Sequence, residues 1–467
     1  MQSKEVNVSM LRRFLVGSFF LLAGLACGFA SGEEASVKES QVVAKWMAEW
    51  PVPEAVFPQL KDIITQLPKH APSMLIQDEE AAYARGKRLS DRSHRLPRAQ
   101  GFAGVQRQAK ARNSLDQFIY KTVPVGRFDV VQPVFHWGAL KARSDMGDLR
   151  VEAAHLEYEE VLRALVLEVR RVYFDLLIQN ARVRLLEQNS EIAEKNYIRA
   201  QNRYQLAEIT RGELNEANIA YQDVKTQVAL TMQALQQNEA YFRNITGWVG
   251  PLELKLPLDW AIPERVQSLI DNHFFEENSI HPGARYFALE KERKLEQLNY
   301  KVINARLLPI FNARTGVYEN LLESPDTSKT ENETNFFVGV DVEWRVFDGF
   351  ETKGEKIASK ARARRLKREA QLELELRGIE AKQLAEKTAL DVEIVDIREN
   401  QLKLAEDKLR RVQQDLGGLQ ATATDYLEAK MDRDNVQLNL LTAKMNLLYD
   451  ASALLSFFGK DPAFLLF

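Results

Sequence analysis

The chain repeats itself at a nearly constant distance, and this duplication restricts its architecture more than any local motif. The phrase WPVPEAV at residues 50–56 returns as WAIPERV at residues 260–266. Self-similarity at one spacing indicates two copies of a structural unit, which we place at residues 31–259 and 260–467. Further matching pairs recur 212 residues apart: Leu96-Pro97 and Leu308-Pro309, Val134-Phe135 and Val346-Phe347, Glu216-Ala217 and Glu428-Ala429, and Gly247 and Gly459.

The N-terminus has the pattern of a secretory signal peptide, which we assign to residues 1–30. Arg12 and Arg13 precede an apolar run from Phe14 to Ala26, and small residues follow the run. No segment supplies the roughly 18 uninterrupted apolar residues of a membrane-spanning helix. The only cysteine, Cys27, is either removed with the signal peptide or lipidated, so we expect a mature chain without disulfides.

Composition argues against several classes of function. The 63 Lys and Arg are intermixed with 66 Asp and Glu and leave a net charge of −3, whereas a nucleic-acid surface needs a basic excess on one face. The six histidines are scattered without metal-ligand spacing, and the sequence has no phosphate-binding glycine-rich loop. We therefore predict no nucleic-acid partner, no catalytic residues, no metal and no cofactor, and we expect that the protein is not an enzyme.

The middle of each copy is predicted to be very long helix. Between Gly147 and Gly212 the chain has neither Gly nor Pro, and about 64 helical residues would extend about 96 Å. We predict helical hairpins at about 138–246 and 350–458, with the first tip near Ala207 to Arg211. A narrow apolar stripe with heptad spacing should face the partner helix: Leu162, Leu165, Val169, Val172, Leu176, Val183 and Leu186.

Before each long helix the apolar period changes to two, which predicts strands at about 98–107, 125–135, 310–319 and 336–347. The last strand has an apolar face of Val338, Val340, Val342 and Trp344 and a charged face of Asp341, Glu343 and Arg345. If such strands cross a membrane, four of them cannot close a barrel, so several chains must share one. A soluble sandwich is the alternative, but it leaves the long hairpins unexplained.

These features together resemble the outer-membrane efflux proteins, the TolC-like channel-tunnels, over nearly all of the mature chain. In that family a strand ending in Phe-Asp-Gly-Gly or a relative leads into each long helix. The corresponding segments here are QPVFHWGALKAR at 132–143 and WRVFDGFETKG at 344–354. The sequence departs from the pattern at Ala207, where the hairpin tip usually has Gly, and at Phe350, which stands where the first copy has Gly138.

The resemblance implies a mainly α fold with a small β part. Three chains would form a homotrimer, with a 12-stranded β-barrel in outer-membrane lipid, four strands per chain, and a coiled-coil α-barrel across the periplasm. The implied function is the passive exit duct of a tripartite efflux system for small molecules, docked to a periplasmic adaptor protein and an inner-membrane pump. The alternatives are the exit duct of a type I protein secretion system and a structural coiled-coil envelope protein.

Two sets of residues at the hairpin tips are candidate functional sites, because the tips lie farthest from the strands. We expect the adaptor to contact Arg203, Tyr204, Leu206, Ala207, Thr210, Gly417, Gly418 and Leu419. We expect a periplasmic gate at Glu208, Arg211, Arg411 and Asp415. In the strands, we expect Val338, Val340, Val342 and Trp344 to face lipid, and Asp341, Glu343 and Arg345 to face the lumen.

Overall fold

The computed structural model describes residues 52–466 except 113–116, 258–259, 261, 263–265, 267–280, 324–329 and 418–421. The signal peptide and Cys27 lie outside the described residues. All described residues belong to one compact unit. The elements are α1 (Pro53–Val56), α2 (Pro58–His70), α3 (Pro72–Ser93), β1 (Arg98–Arg112), β2 (Gln117–Phe135), α4 (Ala139–Gln205), α5 (Arg211–Thr246), α6 (Gly283–Ala305), β3 (Ile310–Glu323), β4 (Thr330–Glu343), α7 (Glu351–Gly417), α8 (Ala423–Phe457) and a 3₁₀ helix (Pro462–Leu466).

The predicted mainly helical fold with a small antiparallel sheet is confirmed, and one order of elements occurs twice. A helix, two strands, a helix of 67 residues and a helix of 36 or 35 residues follow one another in each half. A helix of 67 residues is about 100 Å long. Among the described helices, none combines the length and the apolarity that a helix needs to cross a membrane.

The main apolar core surrounds the middle of α4. Val169 and Leu177 of α4 pack with Ile64 of α2, Phe242 of α5 and Met445 of α8, and all five are buried. The apolar stripe predicted on α4 is narrower than the surface that α4 buries, since Val166, Tyr173 and Phe174 are buried as well. The reason is that α4 contacts α3, α6 and α8 in addition to its hairpin partner α5.

A buried ion cluster lies inside this core. Arg170 is fully buried; its Nε donates to Glu54 at 2.7 Å, and its Nη1 donates to Asp461 at 2.6 Å. Burial disfavours the charged form of Arg170, but the two carboxylates outweigh it and raise the pKa of the guanidinium. Burial raises the pKa of Glu54, against the attraction of Arg170. The cluster ties α1 and the C-terminal segment to the middle of α4.

The four strands form one antiparallel sheet in the order β1-β2-β3-β4. The ladder between β2 and β3 joins the two halves of the chain, and Phe128 of β2 pairs with Val317 of β3. The alternation predicts the last strand to about residue 347, but β4 ends at Glu343, opposite Ile310. The residue before Ile310 is Pro309, which has no N–H to continue the ladder opposite Trp344.

Replacement of Arg170 by Met should destabilise the protein by about 3–5 kcal/mol, because two buried carboxylates lose their only described cationic partner. Thermal or urea unfolding of the detergent-solubilised protein measures the change. Arg171→Met is the matched control, since Arg171 is exposed and should change the free energy of unfolding by no more than about 0.5 kcal/mol. Equal effects of the two substitutions would contradict a structural role of the cluster.

Candidate functional site

One face of the sheet is apolar across all four strands. Residues paired directly across strands share a face, so the register of Val338 with Thr315, and of Thr315 with Val130, extends the face predicted for β4 over the neighbouring strands. Val338 and Val340 are 87% and 67% exposed in the single chain. The apolar members are Ala99, Ala103, Val105, Phe128, Val130, Phe135, Phe311, Ala313, Val317, Phe336, Val338, Val340 and Val342.

The opposite face carries Asp341 and Glu343, as the alternation predicts, and is mixed, since Phe102 and Phe337 lie on it as well. Asp341 forms an ion pair with Arg314 at 3.2 Å, and Arg127 forms one with Asp129 at 3.0 Å. Two predicted members of the faces, Trp344 and Arg345, lie beyond the end of β4. Arg345 and Glu343 instead line a cavity of about 430 Å³ between the sheet and the helices, together with Arg143 and Arg306.

A β-bulge alters the face of the last residue of β2. The register shifts between Pro133, which pairs with Asn312, and Phe135, which pairs with Phe311. In the sequence Val134 continues the alternation of Phe128 and Val130, but the bulge leaves it without a partner in the ladder. Phe135 thereby joins the apolar face, and its ring centroid lies 6.3 Å from that of Phe311.

Each strand-to-helix turn has two consecutive residues with left-handed backbone. In the first turn these are Trp137 (φ 53°) and Gly138 (φ 79°), and in the second they are Gly349 (φ 64°) and Phe350 (φ 70°). The two pairs are 212 residues apart, which gives the Phe-Asp-Gly-Gly pattern a physical meaning. Both glycine positions require positive φ, which Gly adopts without steric cost. This chain keeps one Gly in each turn and places an aromatic residue at the other position.

The first hairpin tip is a five-residue connection between α4 and α5. The N–H of Glu208 donates to the carbonyl of Arg203 at 2.9 Å, and the N–H of Ala207 donates to that of Tyr204 at 3.0 Å, which is a Schellman motif. Ala207 holds its left-handed position with φ 57°. Thr210 then begins α5 in a capping box with Glu213. The departure from the family pattern at Ala207 therefore falls where Gly is favoured.

Ala207→Gly should stabilise the protein by about 1 kcal/mol, because Gly adopts the left-handed backbone without the steric cost that Ala bears. The measurement is the shift in thermal unfolding. The control is Ala220→Gly, an exposed position inside α5, where the same substitution should destabilise by about 1 kcal/mol. Changes of the same sign in both variants would contradict the assignment of the cap.

The two hairpin tips lie at the same end of the molecule. The Nη1 of Arg199, near the end of α4, donates to the hydroxyl of Thr424, at the start of α8, at 3.0 Å. Thr422 caps α8 in a capping box with Asp425, as Thr210 caps α5. The positions of Gly418 and Leu419 are outside the described residues.

Two of the four predicted gate residues, Glu208 and Arg411, make contacts within their own chain. Glu208 pairs with Arg203 at 3.3 Å, and both side chains are about half exposed. On the second hairpin, the Nε of Arg411 lies 3.4 Å from the carbonyl oxygen of Asp407. The Arg203–Glu208 pair connects a candidate adaptor-contact residue with a candidate gate residue in a single tip.

Each hairpin has a buried or half-buried polar pair at the same position, which was not predicted. In the first hairpin the amide of Asn238 donates to Gln179 at 3.1 Å. The residues 212 positions later are Asp450 and Asp391, both buried. Lys387 pairs with Asp450 at 2.9 Å, and burial followed by the hydrogen bond with Asp450 raises the pKa of Asp391 to about 7. Gln179 is the one polar residue at a heptad position of the apolar stripe on α4, and aligning the two copies there would have pointed to this pair.

Asp391→Asn should flatten the pH dependence of stability. The pKa of Asp391 rises from 3.8 to about 7 on folding, so the protonated side chain stabilises the fold fully below about pH 4, and this contribution is lost as pH rises through about 7. The variant should therefore be more stable than the parent at pH 8, by about 1–3 kcal/mol. The free energy of unfolding of parent and variant, measured between pH 5 and pH 8, gives this difference. Asp396→Asn, at an exposed position, is the control. A parent protein that gains stability over this range would contradict the assignment.

The sequence model of the outer membrane efflux protein family matches residues 63–248, from α2 to just past the end of α5. The resemblance predicted from the motifs is confirmed over these residues. A search of curated protein sequences gave no match.

Solved outer-membrane channels share the fold. The outer membrane protein VceC of Vibrio cholerae matches with a TM-score of 0.65 at 15% identity, covering 86% of this chain and 96% of VceC. The CmeC outer membrane channel of Campylobacter jejuni matches with a TM-score of 0.67 at 13% identity, covering 86% of each chain. The open state of the MtrE outer membrane channel of Neisseria gonorrhoeae gives 0.62 at 15% identity, covering 87% of this chain and 91% of MtrE.

Proposed function

We propose that the protein is a homotrimeric outer-membrane channel-tunnel that serves as the passive exit duct of a tripartite efflux system. The observation that carries the proposal is an exposed apolar sheet face, which extends over four strands and is joined to two helices of about 100 Å, each the longer helix of a hairpin. A sheet with one apolar face and one face that carries charged residues suits a barrel wall between lipid and water. Helices of this length suit a tunnel that extends from the membrane across the periplasm.

The sheet supports assembly from several chains. In the four-stranded order, β1 and β4 are the edge strands, and each presents unpaired backbone groups on its outer side. In lipid, each unsatisfied backbone group costs several kcal/mol, so only closure removes the penalty. Three chains with four strands each give the twelve strands that the family resemblance implies. On this proposal Val338, Val340 and Val342 meet lipid, while Asp341 and Glu343 line the lumen.

The tips support docking to a periplasmic adaptor. Tyr204 and Leu206 expose 41% and 70% of their surface at the first tip, which offers apolar contact area at the end of the tunnel. The nearby charges of Arg203 and Glu208 would form the rim of that contact, and Arg211, Arg411 and Asp415 would hold the mouth closed between neighbouring chains. An inner-membrane pump would supply the energy for transport through this passive duct.

Export of small molecules is the favoured function of the duct. Export of proteins, as the exit duct of a type I protein secretion system, is the second candidate. Both uses need the same tunnel, so the two are separated by measurement in cells. Deletion of the gene should raise intracellular accumulation of small toxic compounds if the first is correct. Loss of a secreted protein from the medium, with unchanged accumulation of such compounds, would favour the second.

The channel is tested by placing one arginine on either face of β4. Val338→Arg puts the charge on the apolar face near the middle of the strand and should cost about 2–4 kcal/mol, which would prevent stable insertion. Gly339→Arg puts it on the opposite face, where an added Cβ atom meets no atom within 4 Å, and should change mainly the ion selectivity. Conductance in planar bilayers and native mass spectrometry in detergent are the measurements.

The parent protein should conduct and have the mass of a trimer. A detergent-free monomer without conductance would overturn the channel proposal. If Val338→Arg inserted normally and Gly339→Arg failed to insert, the assignment of the two faces would be reversed, since neighbouring residues of a strand point to opposite sides.

A further inference from the structure

A cavity lies between the two hairpins, beside the extended segment that follows α5. Residues of α4, from the first hairpin, and of α8, from the second, line it together with Leu254 and Leu256 of the segment. Its volume is about 330 Å³, which is in the range of sites for small molecules. We call it the inter-hairpin cavity. A single chain supplies this lining, so the cavity forms without a second copy.

Hydrogen bonds hold the extended segment in place beside the cavity. The side chain of Gln59 in α2 binds the backbone of the segment twice: its Nε2 donates to the carbonyl of Pro251 at 2.8 Å, and its Oε1 accepts from the N–H of Glu253 at 2.8 Å. The Nδ2 of Asn180 donates to the carbonyl of Leu254 at 2.5 Å. The leucines of the segment also pack against the main core. The cavity is therefore bounded by parts of the chain that are fixed in position.

The lining combines apolar side chains with two guanidinium groups. Arg184 of α4 and Arg433 of α8 provide the positive charges, and Asp434 is the one carboxylate among the described lining residues. Asp434 pairs with Arg433 at 3.0 Å, whereas Arg184 has no ion pair within the described part of the chain. The lining thus has an excess positive charge beside an apolar surface. Its leucines are Leu185, Leu254, Leu256, Leu438 and Leu441.

The acidic residues nearest to the lining in the sequence do not belong to it. Glu187 and Glu253 are exposed and lie outside the lining, and Asp432 is paired with Lys408 at 2.5 Å. A larger cavity of about 760 Å³, which shares two lining residues with this one, carries two lysines and two glutamates, so its charges balance. The positive excess distinguishes the inter-hairpin cavity from its neighbour.

One nitrogen of Arg433 lacks an acceptor. Its Nη1 donates to Gln437 at 2.9 Å, and its Nη2 pairs with Asp434 at 3.0 Å. Its Nε is shielded from solvent and has no hydrogen-bond partner among the residues that the structure describes. A buried N–H without an acceptor is unfavourable, and an acceptor oxygen held in the cavity would satisfy it.

The duplication shows that the fold does not require the two arginines. The residue 212 positions after Arg184 is Asp396, and the residue 212 positions before Arg433 is Tyr221. Both hairpins nevertheless form with the same order and nearly the same length of helices. The pair of guanidinium groups is therefore particular to this cavity.

We propose that the inter-hairpin cavity binds a small amphipathic carboxylate. The leucines contact the apolar part of the ligand, and Arg184 and Arg433 bind its carboxylate, whose planar geometry matches that of a guanidinium group. The ligand bridges α4 and α8 and stabilises the contact between the two hairpins by mass action. The inference goes beyond the proposed function and does not depend on it, because one chain supplies the site.

The test is a fluorine NMR titration of the full-length protein in phosphatidylcholine nanodiscs with ω-fluorinated octanoate. Empty nanodiscs give the background from partition of the probe into lipid. Octanoate should bind saturably with a Kd of about 1 mM or tighter. The matching alcohol, which lacks the charge, should bind about tenfold more weakly, and inorganic phosphate, which lacks the apolar part, should not displace octanoate at equal concentration.

Single substitutions place the probe in the cavity. Arg184→Gln should weaken octanoate binding about tenfold and leave binding of the alcohol unchanged, because it removes one charge from the lining. Arg182→Gln is the matched control, since Arg182 is exposed on the same helix outside the lining, and it should bind as the parent does. Ala181→Phe should fill the cavity and prevent binding of both probes. Circular dichroism like that of the parent should show that each variant folds.

The outcomes separate this inference from the proposed function. Equal affinity for octanoate and the alcohol, or unchanged octanoate binding in Arg184→Gln, would overturn recognition of a carboxylate. Binding by Ala181→Phe like that of the parent would place the probe elsewhere and overturn the site. A parent protein that conducts but binds no octanoate above the background would overturn this inference alone. Saturable binding in the cavity by a protein without conductance would overturn only the proposed function.

Discussion

The buried contact of Arg170 with Glu54 and Asp461 fixes the part of the molecule from which the rest extends. Its two partners lie 116 and 291 residues away along the chain, so both ends of the described chain are held against the middle of α4. Removing three charges from water is unfavourable unless each is paired and hydrogen-bonded, which makes the geometry specific. The strands on one side and the tips on the other project from this anchored region.

The turns between strand and helix show how local backbone geometry and position are coupled. A chain that leaves a flat sheet and enters a long helix within a few residues needs two consecutive left-handed residues here. One glycine per turn removes the steric cost of positive φ at one of the two positions. The aromatic residue at the other position bears the steric cost of a left-handed backbone, as Ala207 does at the first hairpin tip.

The two hairpins share their geometry but differ in charge. The same position carries the neutral pair Gln179 and Asn238 in the first hairpin and the acidic pair Asp391 and Asp450 in the second. Both capping boxes are kept, with Glu213 in one and Asp425 in the other. Positions that satisfy backbone groups are thus alike in both hairpins, whereas the side chains between packed helices differ and give each hairpin its own response to pH.

The sequence by itself determined the long helices, the strand faces and the tips. A segment without Gly or Pro forms helix through bonds to residues four positions away, and strict alternation sets the two faces of a strand; both are local effects. The tertiary structure alone decided the bulge that turns Phe135 to the apolar face, the partners of Arg170 and the contact of Asp391 with Asp450. These depend on register and packing between residues far apart in the chain, where burial decides which charges pair and which pKa values shift.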